Sequence, residues 1–303
     1  MSKNMLEQFK RQSLETQGII FMILSQFFFA ANDGFVKYIL LIHDNDISFL
    51  GQIVFIRGIF ATIFIGLILF AKKQLELKRM LTSKHLLTRG LIEAVCGIFF
   101  FLGLASLPFA DLYVLLNLAP ILITASGAIL LKEIVGWRRW SAVILGFVGV
   151  LVVVNPGELE FGYAFAFPLI AAILITYRDT YTRSFQDKFD SIQIAFVTCF
   201  VVCVCYGIYM LFYLKPILLN ELILILISAI LLSCAYIFSV ATVKIASISS
   251  TSTFRYTVII WGLLFGYLFF QEVPSYHMIA GASIVVASGL FIIYRQKQIG
   301  IIN

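Results

Sequence analysis

Charged residues are scarce in this sequence: Asp, Glu, Lys and Arg make up 13% of its 303 residues. A soluble globular domain carries about 25% charged residues. Hydrophobic residues reach 61% of the chain. This composition excludes a soluble domain and indicates an integral membrane protein with most of its length inside the bilayer.

Cysteine and histidine are also few, with five and three residues respectively. All five cysteines fall within apolar runs, and no two histidines share a helix face at metal-ligand spacing. A Gly-rich phosphate loop and a Ser-His-Asp or Cys-His arrangement are missing as well. We therefore expect neither an enzyme nor a protein that binds a metal or a cofactor.

Long apolar runs are what the chain has in abundance. A membrane-spanning helix needs about 20 apolar residues, and long runs satisfy their backbone hydrogen bonds in lipid only as helices. Ten such runs are present, at residues 18–41, 47–71, 86–107, 110–131, 137–154, 161–181, 192–214, 222–243, 247–270 and 276–294. The pattern predicts an all-α fold of ten transmembrane helices, embedded in the lipid bilayer.

The basic residues orient these helices. If the N-terminus is cytoplasmic, eighteen of the 22 Lys and Arg residues lie in segments on the cytoplasmic side and two lie on the other. This bias follows the positive-inside rule and predicts cytoplasmic termini. The net charge of +6 is therefore explained by orientation and does not indicate nucleic-acid binding.

The chain divides into two similar halves. Glu133 closes the fourth run and Glu272 closes the ninth, each followed by another apolar helix. Each half has five spans, an odd number, so the halves insert with opposite orientation, as in transporters built from inverted repeats. We predict a cytoplasmic segment at 1–17, repeats at 18–155 and 156–295, and a cytoplasmic tail at 296–303.

Arg255 is a lone cation within the ninth run. A cation at the centre of a bilayer costs at least about 2.5 kcal/mol, so it needs a partner, a ligand or a water-filled cavity. Helical spacing places small and polar residues on its side, which predicts that this stripe faces a transport pathway. These residues are Thr251, Ser252, Ile259, Gly262 and Gly266.

Arg57 and Glu93 lie at a similar depth to Arg255, if each helix rises by about 1.5 Å per residue. Together these three charges would frame an anionic or zwitterionic substrate. The alternative is a structural salt bridge between Glu93 and one of the two arginines.

Asp33 and Lys37 are four residues apart on the first span. The plain interpretation is an ion pair within the helix at the outer interface. In the alternative, Asp33 takes up a proton and couples it to transport, a role also open to Glu93. The neighbouring Asn32 either lines the cavity or forms a hydrogen bond between helices.

Tyr113 and Asn117 share a face of the fourth span. Both are candidates for substrate binding. Alternatively, Asn117 satisfies backbone groups that Pro120 leaves free.

Tyr256 and Trp261 point away from the Arg255 stripe. They either form an aromatic wall for a heterocyclic substrate or simply pack against neighbouring helices. Arg178 and Asp179 come late in the sixth span, where we expect them at the cytoplasmic face with Arg178 reaching out of the membrane.

Several motifs resemble the drug/metabolite transporter superfamily in its ten-helix EamA-type branch. The resemblance covers nearly the whole chain, and the positions that carry it are Ala31-Asn32-Asp33, Lys37-Tyr38, Phe55-Ile56-Arg57, Asn117 to Pro120, Trp137 to Trp140, Phe254-Arg255-Tyr256, Glu272, Pro274, Gly281, Gly289 and Tyr294-Arg295. Within the branch, the ninth and tenth spans are most similar to bacterial uptake proteins for S-adenosylmethionine and riboflavin.

The resemblance implies a secondary transporter of the bacterial inner membrane, a monomer or a homodimer, that takes up a small polar organic metabolite by alternating access. Export of amino acids or toxic metabolites is the alternative within the superfamily. A lipid-modifying membrane enzyme and a structural or sensory subunit are the rivals outside it.

Overall fold

A computed structural model of the chain describes residues 13–119, 121–122, 137–154, 162–183, 185, 188–245 and 253–298. Within these residues every regular element is a helix. The α-helices in chain order are α1 (Leu14–Ile42), α2 (Ile47–Ala71), α3 (Leu77–Leu81), α4 (Lys84–Ser106), α5 (Phe109–Leu116), α6 (Trp137–Val154), α7 (Ala166–Arg183), α8 (Ser191–Met210), α9 (Leu219–Ile245), α10 (Thr257–Phe270) and α11 (Tyr276–Gln298). Short 3₁₀ helices at Gly162–Phe165 and Thr253–Tyr256 precede α7 and α10.

Five of these helices are long and apolar enough to cross a membrane, and three shorter ones are also apolar. The long ones fall in α1, α2, α4, α8 and α9, and the shorter ones in α6, α10 and α11. The all-helical membrane fold is therefore confirmed. The full count of ten inverted spans stays a prediction, because residues 123–136 of the fourth span and its following turn lie outside the described residues.

The helix ends follow from local side chains. Ser13 accepts a hydrogen bond from the Thr16 amide before α1, and Asp46 accepts one from Ser48 before α2. Such caps satisfy amide groups that have no partner inside the helix. Asp46 also bonds to Lys215, and these hydrogen bonds lower the pKa of its carboxyl to about 2.

The helices pack as recurring pairs. α1 lies against α9, α7 against α4, α2 against α8, and α6 against α11. α10 contacts both α1 and α5, while α5 also contacts α7. The large hydrophobic core lies where α1, α2, α4, α5 and α10 meet, and includes the fully buried Phe49, Leu104, Phe109 and Leu112.

Candidate functional site

A buried polar network connects four helices in the middle of the bundle. We define the central network as Asn32, Asp33, Arg57, Tyr113 and Ser228. The Tyr113 hydroxyl donates to Asp33 Oδ2 at 2.8 Å, and the Asn32 amide donates to Asp33 Oδ1 at 2.8 Å. Ser228 Oγ donates to Asn32 Oδ1 at 2.7 Å. Asp33 and Asn32 of α1 therefore connect this helix to α5 through Tyr113 and to α9 through Ser228.

Arg57 completes the central network from α2. Its guanidinium donates to Asn32 Oδ1 at 3.0 Å and lies 4.0 Å from Asp33 Oδ1. It also lies 5.3 Å from the centre of the Phe101 ring, within range of a cation–π contact. Arg57 is only 7% exposed, and Asn32, Asp33 and the Phe101 ring compensate its buried charge. The partners that a cation within an apolar run needs are therefore present.

Tyr113 reaches Asp33 because α10 leaves room for its ring. A Cβ at Gly262 would lie 2.8 Å from Tyr113 Cδ2, closer than real side chains approach. The Tyr113 ring therefore packs against Gly262, and the Glu272 side chain packs against Gly266 one turn later. The prediction that both glycines line a pathway beside Arg255 is wrong, because both are occupied by contacts between elements.

Lys37 has a different partner from the one predicted. Its ammonium group donates to Glu272 Oε1 at 2.7 Å and to the Leu107 carbonyl at 2.8 Å. Asp33 instead binds Asn32 and Tyr113. The predicted ion pair within the first helix is thus wrong, since each group turns to another helix.

A second group of charges lies between α4 and α7. We define the inner charged cluster as Glu93, Arg178 and Asp179. Arg178 donates to Glu93 Oε2 at 2.6 Å and to Asp179 Oδ1 at 2.7 and 2.9 Å. The side chains are 18% to 27% exposed. Glu93 therefore does not pair with Arg57 or Arg255, and Arg178 does not extend out of the membrane as predicted, because two carboxylates hold it.

Arg255 lies in the 3₁₀ helix before α10 and its side chain is exposed. Asp179 is a charge that attracts it. Within the described ranges it makes no hydrogen bond and no ion pair shorter than 4.0 Å. Its predicted companions Thr251 and Ser252 lie outside the described residues, as does Pro120. Arg255 is thus an accessible cation beside the inner charged cluster.

The remaining candidates make contacts within the helix bundle. Asn117 Nδ2 donates to the Tyr113 carbonyl at 2.8 Å, at the end of α5. Trp261 packs edge-on against Phe27 with ring centroids 5.1 Å apart. Tyr256 is 4% exposed, and its hydroxyl faces Gly289 of α11 without a hydrogen-bond partner among the described residues. These three side chains therefore lie in packed surroundings within the bundle.

Sequence reasoning missed Ser228 and undervalued Arg178. Ser228 is the one polar residue in the run Leu222–Leu232, and that isolation was the available signal. Arg178 is directly followed by Asp179, which indicated a charge pair rather than a free cation.

Comparison with known proteins gives a family. Residues 16–155 and 161–294 match the model of the EamA-like transporter family. The S-adenosylmethionine uptake transporter of Rickettsia prowazekii is 25% identical over 93% of this chain and 94% of its own. The riboflavin transporter of Rhizobium johnstonii is 25% identical over 75% and 76%, and the pseudopaline exporter CntI of Pseudomonas aeruginosa is 23% identical over 92% and 97%.

A crystal structure also shares this fold. It superposes with a TM-score of 0.60 at 13% identity, over 89% of this chain and 96% of its own. Since a family model matches nearly the whole length, the chain belongs to the EamA-like transporter family, whose proteins are transporters of the drug/metabolite superfamily rather than enzymes.

Proposed function

We propose that this protein is a secondary transporter of the bacterial inner membrane that takes up a small polar metabolite by alternating access. The observation that carries the proposal is the exposure of Arg255 next to the part-exposed inner charged cluster. Charges in a membrane-spanning bundle are costly in contact with lipid, so exposed ones indicate a water-filled opening. We infer that this opening is the inward-facing entrance to the substrate site.

The helix pairs support two inverted halves, at 18–155 and 156–295. Suppose that the helices of the two halves correspond as α1 to α7, α2 to α8, α4 to α9, α5 to α10 and α6 to α11. Replacing each helix by its counterpart then turns each of the following contacts into another observed contact or into itself. The contact of α1 with α9 becomes that of α7 with α4, and α1 with α10 becomes α7 with α5. The pairs α2–α8, α5–α10 and α6–α11 map onto themselves. A two-fold axis between the halves is the arrangement on which rocking-type transport rests.

The substrate class follows from Arg255 and from the relatives. A guanidinium with a free face binds a carboxylate through two parallel hydrogen bonds. S-adenosylmethionine has a carboxylate and riboflavin has none, so Arg255 favours an S-adenosylmethionine-like amino acid over a riboflavin-like ring. The uptake transporters named for S-adenosylmethionine are 25% to 26% identical over 93% of this chain.

Asp33 is our candidate for the proton-coupling group. Its carboxylate is held by Tyr113, Asn32 and Arg57, from three different helices. A proton on Asp33 would remove its charge and release Arg57 from its partner. Binding of a proton would therefore loosen the contact of α1 with α2 and make transport depend on the proton gradient.

The test is uptake of labelled S-adenosylmethionine by purified protein in liposomes, with riboflavin in parallel. We expect Arg255→Ala to abolish uptake while expression and folding are retained, because the exposed guanidinium makes no hydrogen bond or ion pair with the residues that the structure describes. Arg79→Ala is the matched control, since Arg79 on the short helix α3 is also exposed but bonds to Glu76 just before that helix. Uptake by Arg255→Ala at the rate of the Arg79 variant would remove Arg255 from the site.

Export is the second candidate, supported by the relative named as a pseudopaline exporter. Flux measured in oriented vesicles separates the two directions. Accumulation only in inside-out vesicles would replace uptake by export and leave the site assignment unchanged.

A further inference from the structure

Several side-chain pairs join the two halves at the end of the bundle away from the inner charged cluster, among them Lys215 with Asp46 and Lys37 with Glu272. Lys37 near the end of α1 binds Glu272, 235 residues later, at 2.7 Å. Glu272 also accepts the Phe109 amide at 2.6 Å, and Lys37 also donates to the Leu107 carbonyl. We define the outer latch as Lys37, Glu272, the Leu107 carbonyl and the Phe109 amide.

The end of α10 and the start of α5 together determine the position of Glu272. Gln271 has a φ of 54°, in the left-handed region, so the chain reverses after α10 and the Glu272 amide bonds to the Gly266 carbonyl at 3.0 Å. Pro108 precedes α5 and supplies no side-chain cap. The Glu272 carboxylate takes that role, where a negative charge is favoured by the helix dipole.

Aromatic rings enclose the latch cation. The Lys37 ammonium lies 5.2 Å from the centre of the Phe270 ring and 5.8 Å from that of Phe109. These rings keep it at 7% side-chain exposure. Removal of the carboxylate would leave this enclosed cation without a counter-charge, which is costly because little water can replace the lost partner.

The two ends of the bundle differ in exposure. At the outer end the loop residues Lys215 and Asp46 are 42% and 32% exposed, but the Lys37 and Glu272 side chains between the helices are only 7% and 20% exposed. At the other end the side chains of the inner charged cluster are 18% to 27% exposed and Arg255 is exposed. A transporter with a closed outer end and an accessible inner end is in an inward-facing state.

We propose that the outer latch is the gate that closes the outer end in this state and separates when the protein opens outward. The proposal rests on the proposed transport function. Glu272 comes from the second half, while the other three members of the latch come from the first, so the halves cannot part at this end with the latch intact. A cavity of about 290 Å³ lined by Glu272 and Asp111 lies against the latch.

The test measures access to the space below the latch. All five native cysteines are replaced by alanine, and one cysteine is introduced at Gly34, where the nearest atom to a Cβ would be Phe109 Cζ at 3.9 Å. Right-side-out vesicles are treated with a membrane-impermeant maleimide. We expect slow labelling of this cysteine with the latch intact, and labelling about tenfold faster after Glu272→Gln, because the outward-open population rises.

Two further variants test whether loss of the latch causes the faster labelling. Asp111→Asn changes a carboxylate of the same cavity whose charge acts on Lys37 but which forms no hydrogen bond with the latch among the described residues, and we expect it to leave labelling slow. Gly266→Ala keeps both charges, but its Cβ would lie 2.9 Å from Glu272 Oε2 and displace the carboxylate. We expect faster labelling here too, which decides the question if the Glu272 variant does not fold.

Slow labelling in folded Glu272→Gln and Gly266→Ala protein overturns the proposal, as does equally fast labelling in Asp111→Asn. Uptake of S-adenosylmethionine in the same vesicles separates this result from the proposed function. Slow labelling with uptake retained rejects the latch alone. If the latch variants are labelled fast but the unsubstituted protein takes up no S-adenosylmethionine, the proposed substrate is rejected and the proposed gate is retained.

Discussion

Replacing Arg57 by methionine separates the structural role of the central network from the functional role of Arg255. Methionine retains most of the apolar volume of the side chain and removes its charge. The Asp33 carboxylate would then be buried with hydrogen bonds from Asn32 and Tyr113 but without a counter-charge. We expect Arg57→Met to lower the free energy of unfolding strongly.

The size of the effect follows from the geometry. Two unit charges at 4 Å attract by about 4 kcal/mol at the effective dielectric constant of about 20 that suits proteins. Removal of one member of a buried pair costs about 3–5 kcal/mol, because it leaves the other charge uncompensated. For the Arg57 and Asp33 side chains, 9% and 11% exposed and 4.0 Å apart, we expect a loss of about 4 kcal/mol.

Asp33→Asn in the same chain should restore part of that loss. The amide keeps an acceptor for the Tyr113 hydroxyl and removes the uncompensated charge. We expect a coupling energy of about 2 kcal/mol between the two substitutions in a double-mutant cycle.

The assay is equilibrium unfolding in mixed micelles by titration with sodium dodecyl sulfate, followed by circular dichroism. Arg255→Met is the control, and we expect its unfolding midpoint to equal that of the parent. An Arg57→Met protein within about 1 kcal/mol of the parent would refute the reasoning, since a single buried hydrogen bond already accounts for that amount. A double variant no more stable than Arg57→Met would refute the assigned pair.

Two further substitutions test the packed and charged parts of the site. Tyr256→Phe removes a buried hydroxyl that has no hydrogen-bond partner among the described residues. We therefore expect unchanged uptake and a free energy of unfolding that is unchanged or higher by up to about 1 kcal/mol. Loss of uptake without loss of stability would instead assign Tyr256 to substrate binding. Arg178→Met leaves Glu93 and Asp179 unpaired, and because these groups are part-exposed we expect a loss of about 2 kcal/mol, measured by the same titration. Glu93→Gln, which keeps one carboxylate on the arginine, should lose less, and an equal loss in both variants would contradict the arrangement.

The sequence was sufficient for the membrane-spanning character and for the positions of the five long apolar helices. Apolar length alone located α1, α2, α4, α8 and α9, with bounds that differ by a few residues from the structure. Helix α1 begins at Leu14 rather than Gly18, because Ser13 caps it. Apolar length determines burial in lipid, whereas a cap shifts a boundary without changing hydrophobicity.

Charge partners were harder to predict. The sequence located the buried charges of Arg57, Asp33 and Lys37 and the part-exposed charge of Glu93, since each lies within a long apolar run. It did not show which group each one binds. Spacing along a helix favoured the pair of Asp33 with Lys37, but both are bound by residues of other helices.

The amino-acid sequence therefore indicates which residues lie in the membrane and which of them need partners, because the cost of placing a charge in lipid is set by the side chain and its depth. Only the tertiary structure decided the partners: Tyr113 for Asp33, Arg178 for Glu93 and Glu272 for Lys37. It also decided that Arg255 is accessible while Arg57 is enclosed. The physical reason is that pairing depends on distances between helices, which are set by how small residues such as Gly262 let them approach.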